Sequence, residues 1–335
     1  MKVAILSPVA WRTPPVHYGP WEQMASNLTE NLFKMGVEVT LFASADAITT
    51  AKLNAVIKLG YETDKTQDAK VVECLHISNL MEHANQFDII HNHFDFLPLS
   101  YSKLIKTPMI TTIHGFSSER ILPVYQKYNQ TSNYVSISNS DRHASLNYLS
   151  TVYNGLNVED FSFIGKPEDY LLFFGRIHPH KGTLEAIEIA KLANKKLIIA
   201  GIIQDEAYFF EKIEPQLSDQ IKFVGAANPE QRRKLMGNAQ ALLHPISFEE
   251  PFGLSVVESM LCGTPVVVFN KGSMPELVQN GTNGFLVNNV DGAVEVLKSI
   301  HTIKRKICRE MAISKFSAEK MASDYLKLYE QLLFR

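Results

Sequence analysis

Two successive blocks of short β-branched runs, alternating with stretches of helical periodicity, constrain this chain more than any other feature. The first block opens with Val3-Ala4-Ile5-Leu6, continues through a Pro-rich loop to Pro20, and enters a helix over residues 21–35 closed by Gly36. Within it Trp21, Met24, Ala25, Leu28, Leu32 and Met35 recur at three-to-four spacing, which predicts one buried face. Further strands are predicted at 37–43, 88–91, 109–113, 134–137 and 151–153. The second block restarts at 170–174, after Gly165-Lys166-Pro167, and adds strands at 196–200, 221–224, 241–244, 265–269 and 285–287. A helix over 318–333 follows, with Met321, Tyr325, Leu328 and Leu332 on one stripe. Strand–helix alternation predicts an α/β chain of parallel strands with helices on both faces. The strands outnumber the eight of a closed barrel, so two doubly wound sheets fit better than one barrel. Ligands of such sheets bind outside the carboxyl ends of the strands, and two facing domains predict a site in the cleft between them. No internal repeat or low-complexity segment interrupts the pattern.

Composition narrows the classes. With 335 residues there is room for about two domains, and 45% hydrophobic against 20% charged residues excludes disordered and fibrous chains. The 33 basic and 35 acidic residues leave a net charge of -2, with no electrostatic footprint for nucleic acid. Around Gly165 the split is 12 basic to 15 acidic before and 21 to 20 after, so neither half is a basic module. Cys74, Cys262 and Cys308 are too scattered for a disulfide framework or a zinc site. The apolar run at the start stops at Ser7-Pro8, short of the about 7–15 residues of a secretory signal, and no run approaches the ~18 that span a bilayer. These features predict a reduced, soluble, cytoplasmic protein.

Chemistry concentrates in the second block. Glu250 and Glu258 stand eight apart in Phe248-Glu249-Glu250-Pro251-Phe252-Gly253-Leu254 and the helix that follows, which Cys262-Gly263-Thr264-Pro265 closes. This places Glu250 on a loop and Glu258 one to two turns into the helix, with Gly253 letting backbone amides approach a ligand. Carboxylates at a cleft mouth suit hydroxyl-rich ligands, since each accepts from two hydroxyls; solvated glutamates on an amphipathic helix are the plain alternative. Upstream, Gly175-Arg176-Ile177-His178-Pro179-His180-Lys181-Gly182 sets Arg176, Lys181 and two histidines at a helix start near Gly182. Cations are disfavoured there by the macrodipole, a conflict that a bound diphosphate resolves. The glycines do not spell a phosphate-transferring P-loop.

In the first block, Gly19 lies in the turn His17-Tyr18-Gly19-Pro20-Trp21-Glu22 between the first strand and first helix, where amides can meet a phosphate. His91, His93 and His114 fall at neighbouring strand ends and read as hydrogen-bonding groups for substrate hydroxyls rather than metal ligands, with His114 foremost. Arg142 in Ser138-Asn139-Ser140-Asp141-Arg142 reads either as a cleft group or as a solvated arginine beside a helix cap. Lys304-Arg305-Lys306 and Arg309 read as a solvated helix face.

Taken together, Gly175-Arg176…Lys181-Gly182, Glu250-Pro-Phe-Gly-Leu…Glu258 and Cys262-Gly-Thr-Pro-Val-Val resemble the retaining glycosyltransferases of family 4 (group 1). Supporting matches are Gly19…Glu22, Asp88-Ile-Ile-His91, Thr112-Ile-His114-Gly115, Tyr153-Asn154-Gly155 and Met274-Pro275-Glu276-Leu277. The resemblance implies the GT-B fold: two Rossmann-like domains facing a cleft, an acceptor-side domain of residues 1–165 completed by a helix over 316–335, and a nucleotide-sugar domain of 166–315. It implies that Arg176 and Lys181 hold the donor diphosphate, that Glu258 binds the ribose, and that Glu250 binds the donor sugar. Gly175 and the amides of Phe252, Gly253 and Leu254 would border the donor, His114 would touch its sugar, and Gly19 would lie beside the phosphates. His91, His93 and Arg142 are acceptor-side candidates. The implied reaction is metal-independent and cofactor-free, with retention through an oxocarbenium-like ion pair. The donor is a UDP-sugar or, next, GDP-mannose, its base against backbone at 224–227. The acceptor is a carbohydrate, a lipid-linked sugar or a small molecule; a lipid acceptor would make the protein peripheral to the inner membrane face.

Two departures from the family pattern stand out. Pro20 replaces a glycine and removes one amide donor, and Pro251 stiffens the loop after Glu250. A nucleotide-sugar 2-epimerase is an alternative; it needs a base near the sugar, for which the first block offers Glu22, Asp95 and Glu119. A non-catalytic sugar-nucleotide-binding protein is a second.

Overall fold

Apolar runs without alternation become central parallel strands. Val3, Ala4, Ile5 and Leu6 are all fully buried, as expected for a strand covered on both faces. The structure, a computed structural model, describes residues 1–116 and 118–334, and the chain forms two units. Unit 1 comprises Met1–Asn157 and Ser317–Arg335; unit 2 comprises Val158–Phe316.

Unit 1 carries strands β1 (Lys2–Leu6), β2 (Glu38–Phe42), β3 (Lys52–Asn54), β4 (Ile89–Asn92), β5 (Met109–Ile113), β6 (Asn133–Ser136) and β7 (Tyr148–Thr151). They pair in the order β3-β2-β1-β4-β5-β6-β7, every pair parallel. In this register Ile5 lies opposite Leu41 and His91, which brings His91 to the carboxyl end of the sheet. The first helix, Pro20–Lys34, starts from Gly19 with Pro20 at its first position, where a missing N–H costs nothing. Three local expectations need correction. The strand expected at 151–153 is Tyr148–Thr151, its pairing with β6 shifted by an irregularity at Tyr134/Val135. The edge strand β3 is three residues long, too short for periodicity to reveal. The helix Ala69–Glu82 was not anticipated, because Val71 and Leu75 face solvent while Val72, His76, Ile77, Leu80 and Met81 are buried, leaving no clean stripe.

Unit 1 is finished by the helix Ala318–Leu333, capped by Ser317, whose side chain accepts from Lys320 N. It buries Met321, Ala322, Tyr325, Leu328 and Tyr329. Gly155 lets it approach: a Cβ there would lie 2.6 Å from Ser317 O and 2.7 Å from Ala318 Cα. Ala318 N donates to Leu156 O at 2.9 Å, and Asn27 Nδ2 to Gly155 O at 2.8 Å.

Unit 2 carries β8 (Leu171–Phe174), β9 (Leu197–Ala200), β10 (Ile221–Phe223), β11 (Ala241–His244), β12 (Val266–Phe269) and β13 (Gly284–Val287), paired in the order β10-β9-β8-β11-β12-β13 and all parallel. In the basic cluster Lys304, Arg305, Lys306 and Arg309, the lysines are solvated as expected but the two arginines are not. Arg305 is buried and donates to Ile164 O, Ala239 O and Gly237 O and to Thr264 Oγ1. Arg309 donates to Phe161 O and Leu261 O. Both guanidiniums tie off carbonyls at loop and helix ends, while Lys306 stays exposed.

Candidate active site

The loops after β8 and β11 are brought together by one glycine. Beyond β8, Gly175 N donates to Ala200 O at 3.1 Å and Arg176 Nη1 to Gln204 Oε1 at 2.8 Å, a neutral partner that leaves the guanidinium charge uncompensated. The expected helix start near Gly182 is more elaborate than the sequence suggested. His178 Nδ1 accepts from His180 N, Pro179–Lys181 forms a 3₁₀ turn, and Gly182 in the left-handed region (φ 76°) starts the helix Thr183–Leu192. A Cβ on Gly182 would sit 2.0 Å from Pro245 O, so only glycine lets this turn lie against the chain leaving β11.

That approach sets Lys181 on Glu250. Lys181 Nζ lies 2.7 and 2.8 Å from the two carboxylate oxygens of Glu250, and 4.8 Å above the Phe248 ring. His244, the last residue of β11, places Nε2 at 3.2 Å from Glu250 Oε2. Burial works to raise the Glu250 carboxyl, but the bond to His244 and the charge of Lys181 outweigh it and hold the group at about 2. Glu250 is therefore ionised at any working pH and locked in orientation by two partners. Its loop is fastened by the segment after β12: Ser273 N donates to Glu250 O at 3.0 Å, Ser273 Oγ to Phe252 O, and Gly272 N to the Glu249 carboxylate.

Gly253 (φ 93°) then starts the helix Leu254–Leu261 without a side-chain cap. Glu258 points from that helix into a nearly closed environment, 8% exposed, with Arg232 Nη1 2.9 Å from Oε1. Burial raises its carboxyl and Arg232 opposes the rise. Arg232, from the helix Pro229–Asn238, keeps its Nε buried and without a partner. The structure thus brings Lys181 and Glu250 together and adds His244 and Arg232, which sequence reasoning missed. His244 carried a usable signal, a polar residue at the carboxyl end of a central strand. Arg232 carried none, because no spacing links it to Glu258.

In unit 1 the three histidines form one stack, with His91 and His93 buried and His114 partly so. His91 spends both ring nitrogens, Nδ1 on Tyr329 Oη at 2.6 Å and Nε2 on Thr112 Oγ1 at 2.7 Å, and so has no atom left for an acceptor. His93 Nδ1 and His114 Nε2 share a hydrogen bond of 2.9 Å, leaving His93 Nε2 and His114 Nδ1 buried and unpartnered. Burial pushes all three rings down, His114 to about 3, so the stack is neutral. Trp21 stacks on His114 with centroids 5.7 Å apart. Among the described residues no group of three His, Cys, Asp or Glu side chains is arranged to hold a metal ion. No helix follows Ser138–Arg142, but Arg142 is exposed as the second reading has it: Nε donates to Ser136 Oγ at 3.1 Å and Thr151 Oγ1 at 2.9 Å, and the guanidinium lies over Tyr148. Gly19 has φ 149°, and a Cβ on it would meet Glu22 Oε2 and Pro15 Cβ at 2.9 Å. The carboxyl of Glu22 is buried beneath that turn. Among the described residues no helix is long and apolar enough to cross a membrane.

Known proteins resemble this chain in sequence and in fold. Residues 158–313 match the family model of glycosyl transferases group 1, and residues 22–160 match that of glycosyltransferase family 4. The uncharacterized glycosyltransferase MJ1178 of Methanocaldococcus jannaschii is 30% identical over 280 residues, 76% of this chain and 78% of its own. The GDP-mannose:cellobiosyl-diphosphopolyprenol alpha-mannosyltransferase of Komagataeibacter xylinus is 26% identical over 296 residues, 76% of this chain and 74% of its own. In fold, HepE of Anabaena, crystallised with UDP, superposes with a TM-score of 0.76 at 18% identity, covering 99% of this chain and 100% of that one. Two parallel Rossmann-like sheets, and family models that between them cover both units, lead to one conclusion: the chain belongs to the group 1, family 4 glycosyltransferases and is an enzyme of the GT-B fold.

Proposed function

We propose that this enzyme moves a hexosyl group from a nucleoside diphosphate sugar to an acceptor hydroxyl with retention of anomeric configuration. The observation that carries the reading is the Lys181–Glu250–His244 arrangement, with Arg176 on the same loop as Lys181. A diphosphate leaving group develops charge as its bond to the sugar breaks. Fixed cations stabilise that charge at little reorganisation cost. Arg176, paired only with a neutral amide, offers a planar fork to phosphate oxygens, and Lys181 offers a point charge once the donor draws it from Glu250. Glu250, ionised and held, accepts from hydroxyls of the donor sugar; Glu258 accepts from those of the ribose. Amides of Phe252, Gly253 and Leu254, with Gly175, border the same ligand, and the base rests against backbone at 224–227. The role the resemblance gives His114, a hydrogen bond to a sugar hydroxyl, suits a neutral ring whose Nδ1 has no protein partner. Gly19 retains a place beside the phosphates, with one amide fewer than the family pattern because of Pro20.

The donor read first is a UDP-sugar, the nucleotide bound by the Anabaena neighbour. GDP-mannose is the second reading, favoured by the donor named for the Komagataeibacter relative. Catalysis is proposed to need neither metal nor cofactor, and the protein to work in the cytoplasm. Thermal melts with UDP-glucose, UDP-galactose, GDP-mannose and ADP-glucose, each followed by assay of released nucleotide, separate these donors. At about 100 times its Kd the true donor adds about 2.7 kcal/mol of stability. Lys181→Ala should lower turnover by roughly 100–1,000-fold, as removal of one preorganised charge does elsewhere. Near-normal kcat/KM in that variant would remove the reading.

A further inference from the structure

Unit 1 contains a pocket of about 440 Å³, within the size range of small-ligand sites, in whose wall Gly19 is the one residue given a donor role above. Trp11, Trp21 and Tyr18 line it, together with Glu22, Glu73 and Asp95. Among the described residues no lysine, arginine or histidine does. Glu22 is only 3% exposed, and its Oε1 is met by the Trp11 amide at 3.3 Å rather than by a cation. Glu73 accepts from the Tyr61 hydroxyl at 3.2 Å, and Asp95 from the hydroxyl of Tyr125. The carboxyl groups are thus held by neutral donors, and the half-buried Glu73 and Asp95 keep lone pairs for a ligand.

The chemistry of the walls selects the occupant. A phosphate or a uronate would place its charge among three acidic residues with no compensating cation, where like charges repel. A sugar ring meets no such penalty: its C–H faces cover the indoles, and its hydroxyls donate to the carboxylates. Burial, the main cause, raises Glu22 to about 7 and Asp95 to about 6, so the pocket is less anionic than three free carboxylates and does not demand a cation. A carboxyl near neutrality both donates to and accepts from hydroxyls.

We propose that this pocket binds an uncharged sugar ring, the unit of the acceptor that receives the transferred hexose, and rejects phosphorylated and uronic sugars. The acceptor role rests on the transferase reading above; the binding itself does not. Trp11 and Trp21 are the only two tryptophans in the chain, so intrinsic fluorescence reports this pocket directly. The full chain is titrated with the methyl glycosides of glucose, galactose and mannose, and separately with glucose 1-phosphate, glucuronate and glucosamine. A saturable emission change is expected with at least one methyl glycoside, with affinity at least tenfold weaker for the charged sugars. Glu22→Gln and Glu73→Gln should each weaken it about fivefold or more while melting cooperatively; Glu73 is the half-buried member and keeps the test open if Glu22→Gln does not fold. No saturable change with any of the three glycosides, or charged sugars binding equally or better, overturns the proposal. If nucleotide sugars still stabilise the chain in that event, only the pocket assignment falls. If glycosides bind while no nucleotide sugar does, the transferase reading falls and the pocket stands as a sugar site.

Discussion

Glu22 and Glu250 are the same side chain in two environments, and their ionisation runs in opposite directions. Glu250 is held low by His244 and Lys181 against its own burial, while Glu22, buried without a cation, is raised to about 7. The folded value for Glu22 lies above the ordinary 4.5, so the fold favours its protonated form. Its contribution is fully present below about 4.5 and is lost as pH rises through 7, on the order of 3 kcal/mol in all. Asp95, raised to about 6, works in the same sense over a lower window. Glu22→Gln, which keeps shape and removes the charge, should therefore melt several degrees above the parent chain at pH 8 and show little gain at pH 4.5. Equal differences at the two pH values would contradict this account. The same contrast shows what single residues disclose in advance. Glu250, Glu258, Arg176 and Lys181 were legible as candidates because their spacing and flanking glycines leave few structural uses for them. Arg232 and His244 were not, because each earns its place by a contact between elements distant in sequence.

The turn around Gly182 is the smallest element on which the proposed donor chemistry depends. Its left-handed backbone and its closeness to Pro245 O leave no room for a side chain. Gly182→Ala must shift one loop against the other, at a cost of about 2 kcal/mol or more, and should separate Lys181 from Glu250. A lowered melting temperature together with a raised donor KM is expected; an unchanged KM would show that the two loops are not coupled through this turn. Elements were legible in proportion to how cleanly they are buried. Strands β1, β5, β11 and β12, buried over almost their whole length, stand within two residues of their sequence-derived positions. The edge strand β3 and the helix Ala69–Glu82 escaped, one for its length and the other for apolar residues on both faces. Arg305 misled for the opposite reason: a charge run looks solvated in sequence, yet one of its members satisfies carbonyls in the interior.

At the scale of the molecule, two units rather than one follow from the strand count, but which unit owns the last helix does not follow from periodicity. The helix Ala318–Leu333 completes the first sheet's unit through Tyr325 and Tyr329, whose hydroxyls engage Thr112 and His91. Losing a buried aromatic of this size costs about 3–5 kcal/mol, and two exceed much of the about 5–15 kcal/mol that holds a domain. A chain ended at Phe316 should lose the cooperative melt of unit 1, visible as loss of its tryptophan emission shift on heating, because both tryptophans lie in that unit. Retention of that transition would show the helix to be dispensable. The return of the chain also orders events during synthesis. Unit 2 is continuous and can collapse as it leaves the ribosome, whereas the first sheet must wait until roughly 160 further residues have been made, about 8–30 s at common elongation rates. For that interval the face later covered by Tyr325 and Tyr329 is bare, making the nascent N-terminal half the stage of this protein's life most in need of a chaperone.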